Sequence, residues 1–92
     1  MRKKIENIIR KSINRDGVFD VFEPERKEFG HYATNVALRL AKTARKDPQK
    51  LAYDIVSKIR EHERGHFFEK IEVVPPGFIN FWMNRPVSFQ TP

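Results

Sequence analysis

Phe78, Asn80 and Trp82 stand two apart in the run Val73-Val74-Pro75-Pro76-Gly77-Phe78-Ile79-Asn80-Phe81-Trp82-Met83. Strand side chains alternate between faces, so in an extended segment these three point one way and Ile79, Phe81 and Met83 the other. Two aromatic rings around an amide can stack on a nucleic-acid base and hydrogen-bond its edge. The same pattern also serves plain packing, with Phe78 and Trp82 covering a second buried face and Asn80 capping the turn. Residue types alone leave both readings open. A second candidate is the basic first segment, where Arg2, Lys3, Lys4, Arg10, Lys11 and Arg15 face Glu6 alone. Such a cluster suits a polyanion, and Arg2, Lys3, Lys4 and Lys11 are the candidate phosphate contacts. Its plainer alternative is a solvated helix face.

A third pattern argues for catalysis and fails. His62-Glu63-Arg64-Gly65-His66 matches the zinc-hydrolase motif H-E-x-x-H. That chemistry needs a helix to put both histidines on one face, a third ligand, and the glutamate beside the metal-bound water. Here Gly65 interrupts the helix, strand-like residues follow, and no His, Asp or Glu occurs after Glu72. The match is accidental, and no metal site is expected. Ser12, Ser57 and Ser88 lie in no nucleophile-elbow pattern, and no glycine-rich phosphate loop is present. No catalytic residue is assigned.

The elements that must position the first two candidates follow from periodicity. The 92 residues make one small domain, with 39% hydrophobic residues, 12% aromatics and a net charge of +6. There is no cysteine, which removes disulfides and thiolate chemistry. No apolar run reaches membrane-spanning length, and the expectation is a soluble, cytoplasmic chain. Ile5, Ile8, Ile9 and Ile13 give one apolar stripe, predicting a helix over 2–15 ended by Asp16-Gly17. A short strand is expected over 19–23, stopped by Pro24. The alanine-rich stripe of Val36, Ala37, Leu40, Ala41 and Ala44 predicts a helix over 33–45, opened by the turn Gly30-His31-Tyr32-Ala33-Thr34-Asn35. Asp47-Pro48 starts a third helix, to about His62 and ended by Gly65. Strands over 69–74 and 78–83 pair through Pro75-Pro76-Gly77, where glycine permits a positive φ. The fold class is therefore α+β, three helices against a small, mainly antiparallel three-stranded sheet with one face open. The domain spans 1–84, and 85–92 is an extended tail.

Three blocks then align in order: Gly30-His31-Tyr32-Ala33-Thr34-Asn35-Val36-Ala37-Leu38, Asp47-Pro48 with Leu51-Ala52, and Pro76-Gly77-Phe78-Ile79-Asn80-Phe81. Together they resemble the N-terminal additional domain of arginyl-tRNA synthetase over residues 1–83. The resemblance implies recognition of the D-loop at the outer corner of an arginine tRNA. An aromatic and a polar residue two apart contact a D-loop base in that family, and they match Phe78 and Asn80. Trp82 joins them on the same face, and the basic residues supply salt-dependent phosphate attraction. Tyr32 and Asn35 match positions that fix the turn and the helix start, while His31 replaces the usual aspartate. The family's catalytic domain carries His-x-Gly-His and Lys-Met-Ser-Lys-type signatures, and neither occurs here. The whole synthetase would join arginine to tRNA using ATP, with its catalytic domain as this domain's partner. No cofactor is implied for this chain itself. The alternative expectation is a free-standing relative serving as a general RNA-binding or protein-interaction module.

Overall fold

One seven-residue and one six-residue run form the two longest strands, and they pair antiparallel at one side of the sheet. A computed structural model of the chain describes residues 1–63 and 67–84. The elements run α1 (Arg2–Ile13), β1 (Val21–Phe22), a 3-10 turn (Lys27–Phe29), β2 (Tyr32–Thr34), α2 (Val36–Ala44), α3 (Pro48–His62), β3 (Phe68–Val74) and β4 (Phe78–Met83). The strands form one antiparallel sheet in the order β1-β2-β4-β3. All three helices pack on one side, through Ile5 and Ile9 of α1, Val36, Ala37 and Leu40 of α2, and Ala52, Ile55 and Ile59 of α3. Opposite them, Phe68, Ile79, Phe81 and Met83 close the core.

The α+β class holds, with a correction: the sheet has four strands among the described residues, whereas three were expected. The extra strand is β2, read from sequence as a turn and the start of α2. Tyr32, Ala33 and Thr34 carry no local signal long enough to show a period. They become a strand because β4 pairs on one side, Tyr32↔Phe81 to Thr34↔Ile79, and β1 pairs on the other. Thr34 is fully buried, and its hydroxyl donates to the carbonyl of Asp20 at 2.7 Å. The same oxygen accepts from Val36 N–H at 3.2 Å, so Thr34 satisfies one orphan donor of α2. Asn35, in the cap position, turns away from the helix. Its amide accepts from Asp20 N–H at 2.8 Å and donates to the Asp20 carboxylate at 3.0 Å. Thr34 and Asn35 therefore fix the β1–β2–α2 junction, while Tyr32 pairs with Phe81 in the β2–β4 ladder.

Two terminators also differ from expectation. α1 ends at Ile13, with Asn14 in the left-handed conformation (φ 51°, ψ 41°), so Asp16-Gly17 lies beyond it. Asparagine tolerates that region because its short polar side chain bonds locally. Gly77 does not use a positive φ; Gly30 does, at +105°. A Cβ on Gly77 would stand 2.9 Å from Pro48 Cβ, so glycine is needed there for close approach of the turn to α3. By contrast, the start of α3 is as predicted: Asp47 accepts from Lys50 N–H at 3.2 Å and Pro48 opens the first turn. The proposed helix stop at Gly65 and the tail 85–92 lie outside the described residues.

Gly30 makes a specific expectation. Its φ of +105° and ψ of 173° lie in a region open essentially to glycine, and an added Cβ would meet Phe81 O at 2.8 Å. Gly30→Ala should therefore destabilise the domain by about 1–3 kcal/mol, read from the midpoint of chemical denaturation. A loss below a few tenths would show that the β2 entry tolerates an ordinary backbone.

Candidate nucleic-acid interface

Strand alternation separates β4 into two faces as the sequence required. Ile79, Phe81 and Met83 are buried among the helices, and Phe78, Asn80 and Trp82 face away from them. Register assigns their neighbours. Asn80 stands opposite Ala33 on β2 and Glu72 on β3; Phe78 stands opposite Val74, and Trp82 opposite Lys70. Ala33 in turn is opposite Phe22 of β1. The Phe22 and Phe78 rings meet edge to face with centroids 6.3 Å apart, spanning β2 above the small Ala33 side chain.

Asn80 is the anomaly of this face. The residue is only 6% exposed, yet its side-chain amide makes no hydrogen bond to another described residue. No buried side-chain polar atom is left unpaired among the described residues, so the amide keeps its contact with solvent. The result is a polar group at the floor of an aromatic surface, carrying both a donor NH2 and an acceptor oxygen. Phe78 and Trp82 are half-buried on either side of it along β4. Trp82 is already engaged: the Lys70 ammonium lies 4.5 Å from its ring centroid and 3.3 Å from Glu72 Oε2.

Phe22, Lys70 and Glu72 were not singled out from sequence. Phe22 belongs to a strand of two residues, too short to reveal a period. The alternation of β3 does show Lys70 and Glu72 on one face, and with the correct register would have set them beside Trp82 and Asn80.

The basic candidates lie elsewhere. Arg2, Lys3, Lys4 and Lys11 are exposed on α1, in the helical layer across the sheet from Asn80. The structure does not bring them together with the aromatic face. Arg10, from the same cluster, is committed to the fold: it donates to Gly17 O at 3.0 Å and lies 4.6 Å from the Phe19 ring centroid. His31 is also built in. Its Nδ1 accepts from Met83 N–H at 2.8 Å while its own N–H donates to Phe81 O at 2.8 Å, extending the β2–β4 ladder by a side chain. A carboxylate oxygen at this position could accept the same bond.

Within the H-E-x-x-H match, His62 is the last residue of α3 and Glu63 is its cap; 64–66 lie outside the described residues. The Glu63 carboxylate accepts from Phe68 N–H and pairs with Arg60 at 3.2 Å, tying α3 to β3. That carboxylate is occupied by the fold. Among the described residues no group of His, Cys, Asp or Glu is arranged to hold a metal, and no helix is long and apolar enough to cross a membrane.

Comparison with known proteins agrees with this architecture. Residues 1–83 match the model of the arginyl tRNA synthetase N terminal domain. The arginine–tRNA ligase of Thermotoga maritima is 42% identical over 85 residues, covering 92% of this chain and 15% of the relative. That of Caldanaerobacter subterraneus subsp. tengcongensis is 35% identical, covering 98% of this chain and 18% of the relative. Among solved structures, Plasmodium falciparum arginyl-tRNA synthetase superposes with a TM-score of 0.77 at 28% identity, over 90% of this chain and 16% of that one. The Thermus thermophilus enzyme gives 0.74 at 25% identity, over 91% and 14%. The chain thus spans under a fifth of the length of these relatives, and matches them across helices and sheet alike. It belongs to the arginyl-tRNA synthetase N-terminal domain family.

Proposed function

We propose that this chain binds the D-loop at the outer corner of an arginine tRNA through the outer face of its sheet. One base, splayed from the loop, stacks on Phe78, and Asn80 hydrogen-bonds its edge. The observation that carries the reading is the Asn80 amide, 94% buried as a residue and unsatisfied by any other described side chain or backbone group. The amide keeps its contact with solvent while no described protein group pairs with it, so it is available to a ligand, and a base edge offers the matching donor and acceptor. Phe78, braced by Phe22, supplies the π-face. In this reading the whole cytoplasmic synthetase joins arginine to tRNA using ATP, and this domain contributes recognition.

The test is binding of the purified chain to an arginine tRNA transcript and to a variant changed only in its D-loop bases, at low and at physiological salt. The expected result is tighter binding to the unaltered transcript. Asn80→Ala should remove that preference, costing about 1–3 kcal/mol of discrimination while weaker binding persists. Equal weakening of the variant chain towards every RNA would sink base reading. No binding by the native chain at either salt would sink the tRNA assignment for the isolated domain.

A further inference from the structure

Trp82 and Asn80 are two residues apart on β4, and β3 sets Lys70 and Glu72 directly opposite them. Lys70 is doubly held: its ammonium lies over the Trp82 ring at 4.5 Å and 3.3 Å from Glu72. Both ends of the ion pair are half exposed, 53% for Lys70 and 51% for Glu72, so the pair is screened and easily exchanged. Trp82 therefore presents a cation on its ring where an unoccupied aromatic surface was expected. Two residues along a strand span about 7 Å, which puts that cation beside the amide and within reach of the backbone carrying a base seated there.

From this arrangement we infer that Lys70 is a phosphate contact of the base-reading face, that Trp82 is its positioning residue, and that Glu72 restrains it until RNA binds. The inference rests on the tRNA reading above and adds to it a specific charge. When a phosphate approaches, Lys70 exchanges the Glu72 carboxylate for the phosphate oxygens while remaining over Trp82. A lysine ammonium is a compact point charge on a flexible stem, which suits such an exchange. Glu72, directly opposite Asn80 in the register, opposes the incoming phosphate by like charge. Base reading and phosphate attraction are thereby divided between β4 and β3.

The division gives effects of opposite sign. Binding of the arginine tRNA transcript is measured against salt for the native chain and for Lys70→Gln, Glu72→Gln and Trp82→Leu, with circular dichroism to confirm folding. Lys70→Gln should flatten the slope of log affinity against log salt by about 0.7–0.9, the loss of one phosphate contact, and leave D-loop discrimination intact. Glu72→Gln should tighten binding several-fold. Trp82→Leu, where folded, should flatten the slope as Lys70→Gln does. An unchanged slope in Lys70→Gln, with native discrimination retained, would overturn this inference and spare the base-reading one. Weaker binding by Glu72→Gln would overturn it too, by making the carboxylate a direct contact. Loss of discrimination in the native chain would remove both.

Discussion

Phe78→Ala should lower affinity for the arginine tRNA by about 5- to 150-fold, the 1–3 kcal/mol that one stacked base contributes. The substitution removes the π-face next to Asn80 and the edge-to-face contact with Phe22. Phe78 is half-buried on the face away from the helices, so its loss opens no cavity in the core between sheet and helices. The fold should survive with a cost of roughly 1 kcal/mol, the worth of one aromatic pair. Phe78→Leu sharpens the test, since it restores apolar bulk without a ring. Stability should recover and affinity should not. Native affinity in Phe78→Leu would mean that the residue only excludes water and that no base stacks on it.

Phe81→Ala should have the opposite profile. This ring is 0% exposed, lies 4.8 Å from that of Phe68, and belongs to one of the two inner strands of the sheet. Truncating a buried phenylalanine costs about 3–5 kcal/mol, from lost transfer energy and the cavity left behind. A domain of this size has a stability near the lower end of the usual 5–15 kcal/mol. Chemical denaturation should show most of that margin gone, with the variant partly unfolded at 37 °C. Phe78 and Phe81 are three residues apart on one strand, yet one change should act on binding and the other on folding. A loss below about 1 kcal/mol for Phe81→Ala would show that the core between sheet and helices is not built around β4.

Much of this separation is legible in the sequence. Alternation along 78–83 divides β4 into its two faces because a strand's period is fixed at two residues whatever surrounds it. Asp47-Pro48 marks the start of α3 because the cap and the proline act within a single turn. The amphipathic stripes of α1 and α2 likewise name residues that pack in the core. Local chemistry suffices for each of these.

Other features depend on contacts distant in sequence. Tyr32–Thr34 becomes β2 only because β1 and β4 supply hydrogen-bonding partners on both sides, so three residues with no period of their own are made a strand. Gly77 is read as a turn residue, whereas its requirement comes from Pro48 on another element. The basic residues of α1 and the aromatic face are separate candidates in the sequence, and the fold sets them on opposite sides of the sheet. The meeting of Phe22 with Phe78 and of Lys70 with Trp82, and the near-burial of Asn80, follow from strand order and register. The sequence by itself determined the α+β class, the family and the faces of β4, since these rest on periodicity, capping and ordered motifs. Only the tertiary structure decided what stands beside Asn80, because neighbours across a sheet are set by pairing between segments that are far apart in the chain.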